Sequence, residues 1–155
     1  PSAEFEALGA RYAAPGEIGA RADIISLHCP LMPETHHIIN AETLARAKRG
    51  ALLINTSRGG LIDTEAAIEA LKSGQLGGLA LDVYEQEADL FFRDLSSTVV
   101  TDDVLQRLIS FPNVIVTGHQ AFFTREAITT ISETTLQSAT EFAKGAPLLN
   151  EIKAS

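Results

Sequence analysis

Short apolar segments alternate with helical patterns along the chain, and this alternation restricts the possible folds more than any other feature of the sequence. The segments are bounded by Gly, Pro, Asn or Ser, as is typical of strands that helices cover on both faces. They span residues 23–29, 50–55, 78–83 and 113–117. Because strand and helix alternate, the sequence predicts right-handed βαβ units that form one parallel sheet of the α/β class.

The helical patterns between these segments each follow a polar residue that can cap a helix. The predicted helices are residues 41–48 behind Asn40, 64–72 behind Asp63 and 102–109 behind Thr101, with a short helix within residues 1–8. The longest pattern, residues 125–144 behind Thr124, is expected to end at Gly145 and Pro147. Its apolar stripe, whose packing partner we expect outside this chain, consists of Ala127, Ile128, Ile131, Leu136 and Ala139.

Composition and charge narrow the possible functions. With 155 residues, 45% of them hydrophobic, the chain is long enough for one domain with a substantial core. A net charge of −8 argues against nucleic-acid binding, and the basic cluster at residues 46–49 is explained more simply by its place at a helix C-terminus. We expect neither a membrane span nor a signal peptide. The single cysteine, Cys29, fits a reducing compartment, so we expect a cytoplasmic protein.

Three charged side chains follow predicted strands. Arg58, Glu87 and His119 come shortly after the second, third and fourth strands. Because the carboxyl ends of parallel strands meet at one edge of a sheet, where such sheets bind ligands, we expect the three side chains to be neighbours. Each also has a simpler explanation: Arg58 as a surface cation, Glu87 as part of a solvated acidic turn, and His119 as a hydrogen-bonded structural histidine. Their joint occurrence favours a functional site.

Four motifs occur in order along the chain. They are HCPLMPETHHIIN at residues 28–40, LINTSRGGLID at residues 53–63, LALDVYEQEADLFF at residues 79–92 and NVIVTGHQAF at residues 113–122. Together they resemble the NAD-dependent D-2-hydroxyacid dehydrogenases, and within that family they are most similar to the D-lactate dehydrogenases. The tract from Tyr84 to Phe92 favours the lactate branch, because relatives that act on phosphoglycerate or glyoxylate usually have a shorter, proline-containing version there.

The resemblance implies that the chain is the C-terminal half of a two-domain enzyme. Residues 1–122 would be the C-terminal part of a Rossmann-type NAD-binding domain, with a partial parallel sheet and flanking helices. Residues 123–155 would form a long helix and a tail that return to an absent substrate domain. No G-x-G-x-x-G occurs in the chain, so the phosphate-binding turn would lie upstream of Pro1. We therefore expect the isolated chain to be inactive, and the complete protein to be a homo-oligomer, a dimer or a tetramer.

The same resemblance implies reduction of a 2-keto acid to a D-2-hydroxy acid, most simply pyruvate to D-lactate, with NADH as the hydride source. Arg58 suits the substrate carboxylate, because its guanidinium can form two parallel hydrogen bonds to it and polarise the adjacent carbonyl. His119 suits the proton donor, since imidazole titrates near physiological pH. Glu87 would fix the tautomer of that imidazole and favour its charged form. Glu85 competes for this role, and the spacing in the family favours Glu87.

Further residues are assigned to the cofactor by the resemblance. Asp82 would accept a hydrogen bond from the nicotinamide carboxamide, although it could instead cap neighbouring backbone. Cys29 and Pro30 would line the adenine pocket with Thr35 near it, and Thr56 and Ser57 would present backbone near the nicotinamide ribose. Cys29 could at the same time be a small buried hydrophobe.

The remaining aromatic and histidine residues leave alternatives open. Phe122 could line the substrate pocket, or Phe122 and Phe123 could anchor the last helix, and we expect at least one of the two in the core. We expect no metal site, because no cysteine or carboxylate completes a set with His28, His36, His37 and His119.

Two other functions remain possible from the sequence. Relatives of this family include corepressors that keep a similar Arg, Glu and His and act through protein partners, so a non-catalytic NAD-binding module is the main alternative. The acidic tract at residues 84–92 argues for the enzyme instead. A fragment without a function of its own is the third possibility.

Overall fold

The computed structural model describes residues 2–87, 90–91, 97 and 99–153. The chain divides into two compact units, residues 1–119 and residues 120–155. The elements of the first unit are α1 (Ala3–Ala7), α2 (Pro15–Arg21), β1 (Ile24–Leu27), α3 (Ala41–Arg46), β2 (Ala51–Asn55), a 3-10 helix (Gly59–Leu61), α4 (Thr64–Lys72), β3 (Leu76–Leu81), α5 (Asp103–Ile109) and β4 (Val114–Val116). The second unit contains α6 (Arg125–Ala143).

The four strands form one parallel sheet, in the order β1-β2-β3-β4. This arrangement confirms the predicted α/β class and the parallel pairing. Leu53 on β2 pairs with Ile25 on β1 and with Leu79 on β3. β3 begins at Leu76 rather than at the predicted Gly78, because its pairing with β2 extends back to Leu76. The sequence did not predict this extension, since Gly77 and Gly78 weaken the strand pattern.

Polar caps start the helices largely where the sequence predicts them. The side chains of Asn40, Asp63 and Thr124 accept hydrogen bonds from backbone N–H groups in the first turns of α3, α4 and α6. The predicted cap of α5 is wrong by one residue. Its cap is Asp102 rather than Thr101, because the Asp102 carboxylate accepts from the N–H group of Leu105 at 2.8 Å.

The hydrophobic core lies on one face of the sheet. Leu53, Leu79 and Leu81 project from the strands into it, and α4 and α5 contribute residues such as Leu71 and Leu108. On the opposite face the side chains of Ile24, Leu52 and Ile115 are exposed. The expectation that these strands are covered on both faces is therefore wrong within the described residues. Apolar composition predicted burial, but it does not show which element supplies the cover.

The second unit contains no buried residue in its helix. α6 ends at Ala143, close to the predicted boundary, and Gly145 beyond it has a φ of 63°, as expected at a helix end. Phe122 and Phe123 are both exposed, and their rings meet edge to face with centroids 6.2 Å apart. The expectation that at least one of them lies in the core is wrong, because none of the described residues of this unit is buried. No helix among the described residues is long and apolar enough to cross a membrane.

Candidate active site

A buried asparagine shapes the loop after β2. Asn55 is the last residue of that strand and is 0% exposed. Its side-chain amide donates to the carbonyl of Arg58 at 2.8 Å, and its side-chain oxygen accepts from the N–H group of Ser57 at 3.0 Å. The Arg58 guanidinium donates to the Ser57 carbonyl at 2.7 Å, and its side chain is exposed. Asn55 therefore fixes the turn that presents Arg58 at the carboxyl edge of the sheet.

Asp82 links the ends of three strands. It directly follows β3 and is only 4% exposed. Its N–H group donates to the carbonyl of Asn55 at 2.9 Å, and its own carbonyl accepts from the N–H group of His119 at 2.7 Å. Its carboxylate accepts a hydrogen bond from the Thr117 hydroxyl. The backbone of Asp82 thus sets the position of His119, while the carboxylate stays at the edge where the strands end.

His119 and Glu87 form a hydrogen-bonded pair. Nδ1 of His119 lies 2.9 Å from Oε1 of Glu87, and the two side chains are 28% and 19% exposed. The other carboxylate oxygen of Glu87 accepts from the N–H group of Tyr84 at 3.1 Å. His119 has a φ of 54°, in the left-handed region that is unfavourable for a residue with a Cβ atom. Its bond to Asp82 helps to hold this conformation, which aims the imidazole at Glu87.

The competing carboxylate, Glu85, is engaged elsewhere. Its Oε1 lies 2.7 Å from Nε2 of His37. Its Oε2 accepts from the hydroxyl of Thr64 and, at 3.1 Å, from the N–H group of the same residue. Of these two acids, therefore, it is Glu87 whose carboxylate lies against His119.

Gly59 brings the loops after β2 and β3 into backbone contact. A Cβ atom at this position would lie 2.5 Å from the backbone nitrogen of Glu85 and closer still to the carbonyl of Tyr84. Only glycine permits this approach without displacing one of the two backbones. The residue next to Arg58 therefore packs directly on the turn that carries Glu87.

Tyr84 anchors that turn in the core. It is 3% exposed, its ring centroid lies 6.5 Å from that of Phe91, and its hydroxyl donates to Asp102 at 2.9 Å. Burial, together with the hydrogen bond to Asp102 and the charge of that carboxylate, raises the pKa of Tyr84 well above its usual range. The tract after β3 is thus anchored rather than a freely solvated turn. Three members of the predicted tract, Ala88, Asp89 and Phe92, lie outside the described residues.

The residues predicted to contact the cofactor lie along the same edge. The Ser57 hydroxyl donates to the carbonyl of Cys29 at 2.7 Å, which joins the ends of β1 and β2. The Thr35 hydroxyl donates to the carbonyl of Pro30 at 2.7 Å. Cys29 is partly buried against the core cluster, whereas Thr56 is exposed. Phe122 belongs to the second unit.

Three contributors to this site were not predicted from the sequence. Asn55 carries a usable signal, because an asparagine that closes an apolar strand readily bonds to the backbone two or three residues ahead. Thr64 and His37 carry none, since their link to Glu85 joins residues that are distant in sequence. Among the described residues, no group of three or more His, Cys, Asp or Glu side chains is arranged to hold a metal ion.

Residues 1–121 match the sequence profile of the "D-isomer specific 2-hydroxyacid dehydrogenase, NAD binding domain" family. The D-lactate dehydrogenase of Escherichia coli strain K12 is 50% identical over 152 residues, which are 98% of this chain and 46% of that enzyme. The chain therefore spans less than half the length of this relative.

Solved structures of similar proteins share the fold. The pyruvate reductase of Chlamydomonas reinhardtii superposes with a TM-score of 0.92 at 44% identity, over 97% of this chain and 46% of that one. The D-lactate dehydrogenase of Aquifex aeolicus, solved with NAD and lactic acid, superposes with a TM-score of 0.84 at 36% identity, over 94% of this chain and 44% of that one.

Proposed function

The chain belongs to the D-isomer specific 2-hydroxyacid dehydrogenase family, and from this premise we propose that its full-length protein reduces a 2-keto acid to a D-2-hydroxy acid with NADH. Pyruvate and D-lactate are the proposed pair, because the relatives that the chain resembles include D-lactate dehydrogenases. The observation that carries the proposal is the His119–Glu87 pair, held at the strand ends beside the loop of Arg58.

The cofactor of this family's domain is NAD. The chemistry of the strand ends fits it, since Asp82 places a buried carboxylate at the end of β3, where the amide of a nicotinamide could donate to it. When bound, NADH supplies the hydride that adds to the carbonyl carbon of the keto acid. We assign Cys29, Pro30 and Thr35 to the adenine side, and Thr56 and Ser57 to the nicotinamide ribose.

Arg58 would bind the carboxylate of the keto acid. Its guanidinium remains charged and presents a planar set of donors that matches a carboxylate. Because Asn55 holds the backbone of this turn, the side chain starts from a fixed point. The same charge would stabilise negative charge on the carbonyl oxygen as the hydride arrives. Phe122 would contribute an apolar surface for the rest of the substrate.

His119 would donate the proton to that carbonyl oxygen. Glu87 accepts at Nδ1, so Nε2 is the nitrogen from which the proton would leave. The neutral imidazole that remains after the transfer would keep its Nδ1 proton, which Glu87 would continue to accept as a hydrogen bond. Bonding of the second Glu87 oxygen to Tyr84 keeps the carboxylate aimed at the ring.

The organisation of the full protein is also part of the proposal. Residues 1–122 would belong to the NAD-binding domain, and residues 123–155 would return to a substrate domain. We propose a cytoplasmic homo-oligomer, a dimer or a tetramer, which gel filtration with light scattering would test.

Steady-state oxidation of NADH with pyruvate, by the protein at its full encoded length, tests the proposed reaction. Replacement of His119 by Gln should lower kcat about 100- to 10,000-fold, because it removes the acid. NADH binding, followed by fluorescence titration, should persist. His28→Gln is the matched control, since His28 is exposed and bonds to Ser26, and it should keep wild-type turnover.

Two outcomes would contradict the proposal in different ways. Wild-type turnover in the His119→Gln protein would refute the role of His119 as the acid. Tight NADH binding by the wild type, with negligible turnover of every 2-keto acid tried, would instead indicate a non-catalytic NAD-binding module.

A further inference from the structure

Glu85 ties three segments together beside the proposed site. Oε1 of its carboxylate binds His37, which lies in the loop after β1. Oε2 binds Thr64, which is the first residue of α4. An ionised carboxylate only accepts hydrogen bonds, so His37 donates from Nε2. The Glu85 side chain is about one-quarter exposed, and Thr64 is buried.

His37 is held firmly enough to act as an anchor. Its φ is 49°, in the left-handed region, and its N–H group donates to the carbonyl of Gly60 at 2.9 Å. Its carbonyl accepts from the side-chain amide of Asn40, which also caps α3. The ring of His36 stacks on its imidazole with centroids 3.9 Å apart. Glu85 therefore binds to a partner whose own position is restricted.

The same short turn carries both acids. Tyr84 and Glu87 are linked through the N–H group of Tyr84 and a Glu87 carboxylate oxygen, and the other oxygen of Glu87 meets His119. On its other side the turn rests on the backbone of Gly59. If Glu85 were released, the turn would lose its bonds to His37 and Thr64, while Tyr84 would still hold one end through Asp102.

We propose that Glu85 is a positioning residue, which acts through the Tyr84–Glu87 turn to hold the Glu87 carboxylate against His119. This inference rests on the proposed function only for its kinetic consequence, since the displacement of Glu87 is a structural effect. Loss of the anchor should weaken the His119–Glu87 hydrogen bond and leave the cofactor-binding edge intact.

Kinetics of the full-length protein test this role. Glu85→Ala should lower kcat for pyruvate about 10- to 100-fold, because a displacement of about 1 Å at the reacting centre costs about 100-fold and the remaining bonds of the turn limit the shift of Glu87. The KM for NADH should change little. Glu85→Gln should recover most of kcat, because its oxygen can accept from Thr64 while its amide donates to His37 in the other tautomer. Glu65→Ala is the matched control, since it removes an exposed carboxylate from the first turn of α4 and should behave as wild type.

A double-mutant cycle shows whether Glu85 acts through Glu87. In a Glu87→Gln background, adding Glu85→Ala should cause little further loss of kcat, because the group that it positions is already gone. If the fold-losses of kcat in the two single variants multiply in the double variant, Glu85 acts independently of Glu87, through folding or packing, and the proposal is overturned. A higher KM for pyruvate at unchanged kcat would also overturn it, because the turn would then position Arg58.

Imidazole NMR separates this inference from the proposed reaction. The side-chain ¹H–¹⁵N signal of His119, identified by its loss in His119→Gln, should shift in Glu85→Ala and stay in place in Glu65→Ala. This readout needs no substrate, so it remains decisive even if the wild type turns over no 2-keto acid. An unchanged His119 signal in folded Glu85→Ala would refute the positioning role.

Discussion

Replacement of Gly59 by alanine tests how the loop that carries Arg58 fits against the turn that carries Glu87. Gly59 follows Arg58, and its Cα faces the backbone of the turn between Tyr84 and Glu85. The new methyl group would lie 2.5 Å from the Glu85 nitrogen, whereas ordinary van der Waals contact begins at 3.4 Å. The Glu85 nitrogen and the Tyr84 carbonyl are main-chain atoms, so a change of side-chain rotamer cannot relieve the clash.

The expected cost follows from that geometry. The Glu85 nitrogen would have to retreat by about 0.9 Å, the difference between those two distances, and the Tyr84 carbonyl somewhat more. Overpacking of this kind typically costs about 1–3 kcal/mol of stability. A displacement of about 1 Å in the turn that aims Glu87 should also lower kcat about 100-fold.

Urea denaturation and steady-state NADH oxidation with pyruvate, both on the full-length protein, measure the two effects. The neighbouring Gly60→Ala is the control, because its methyl group would meet a movable Leu31 side-chain carbon at 3.1 Å rather than backbone. We expect its stability to stay within about 1 kcal/mol of wild type and its kcat to change little. A Gly59→Ala protein with the stability and kcat of the control would refute the close approach of these two loops.

Two further substitutions probe buried polar groups around the site. Tyr84→Phe should cost about 1.5–3 kcal/mol at neutral pH, since it removes a hydrogen bond to a carboxylate. Because the pKa of Tyr84 is raised in the folded state, only the unfolded chain releases the phenol proton just above pH 10. Above that pH, the free energy of unfolding of the wild type should fall by up to about 1.4 kcal/mol per pH unit relative to the Phe variant. Urea melts from about pH 8 to pH 11 in which the two free energies change in parallel would contradict this. Asn55→Ala should lower the free energy of unfolding by about 2–4 kcal/mol and raise the KM for pyruvate, because it leaves backbone groups of Ser57 and Arg58 without their partner. The control, Asn113→Ala, removes an exposed amide and should cost less than about 1 kcal/mol. Equal losses of stability in the two variants would contradict the role of Asn55.

The fold was predictable because local signals and the overall topology agree. Apolar segments bounded by turn residues became β1 to β4, and caps such as Asp63 and Asn40 start helices where they were expected. α2 was not predicted, since its cap position is Ala14 and its main signal is the Pro15 that opens it. The exposed face of the sheet was also missed, because an apolar strand does not identify the element that covers it.

The site was only partly predictable. The rule that ligands bind at the carboxyl ends of parallel strands was enough to select Arg58, His119 and the acidic turn that contains Glu85 and Glu87. The residues alone could not separate Glu85 from Glu87, which lie in the same turn. The distinction depends on Thr64 and His37, which are brought to Glu85 by the tertiary structure.

The strand order has a consequence for how this region folds. Since β1, β2, β3 and β4 lie side by side in the order in which they are synthesised, each new strand can dock on the edge left by the previous one. His37 and Glu85, 48 residues apart, can meet once β3 has docked, whereas Glu87 must wait for His119, 32 residues further along. The Glu85 anchor can therefore form on the nascent chain before the imidazole arrives, and the His119–Glu87 contact can form only after β4 has been synthesised.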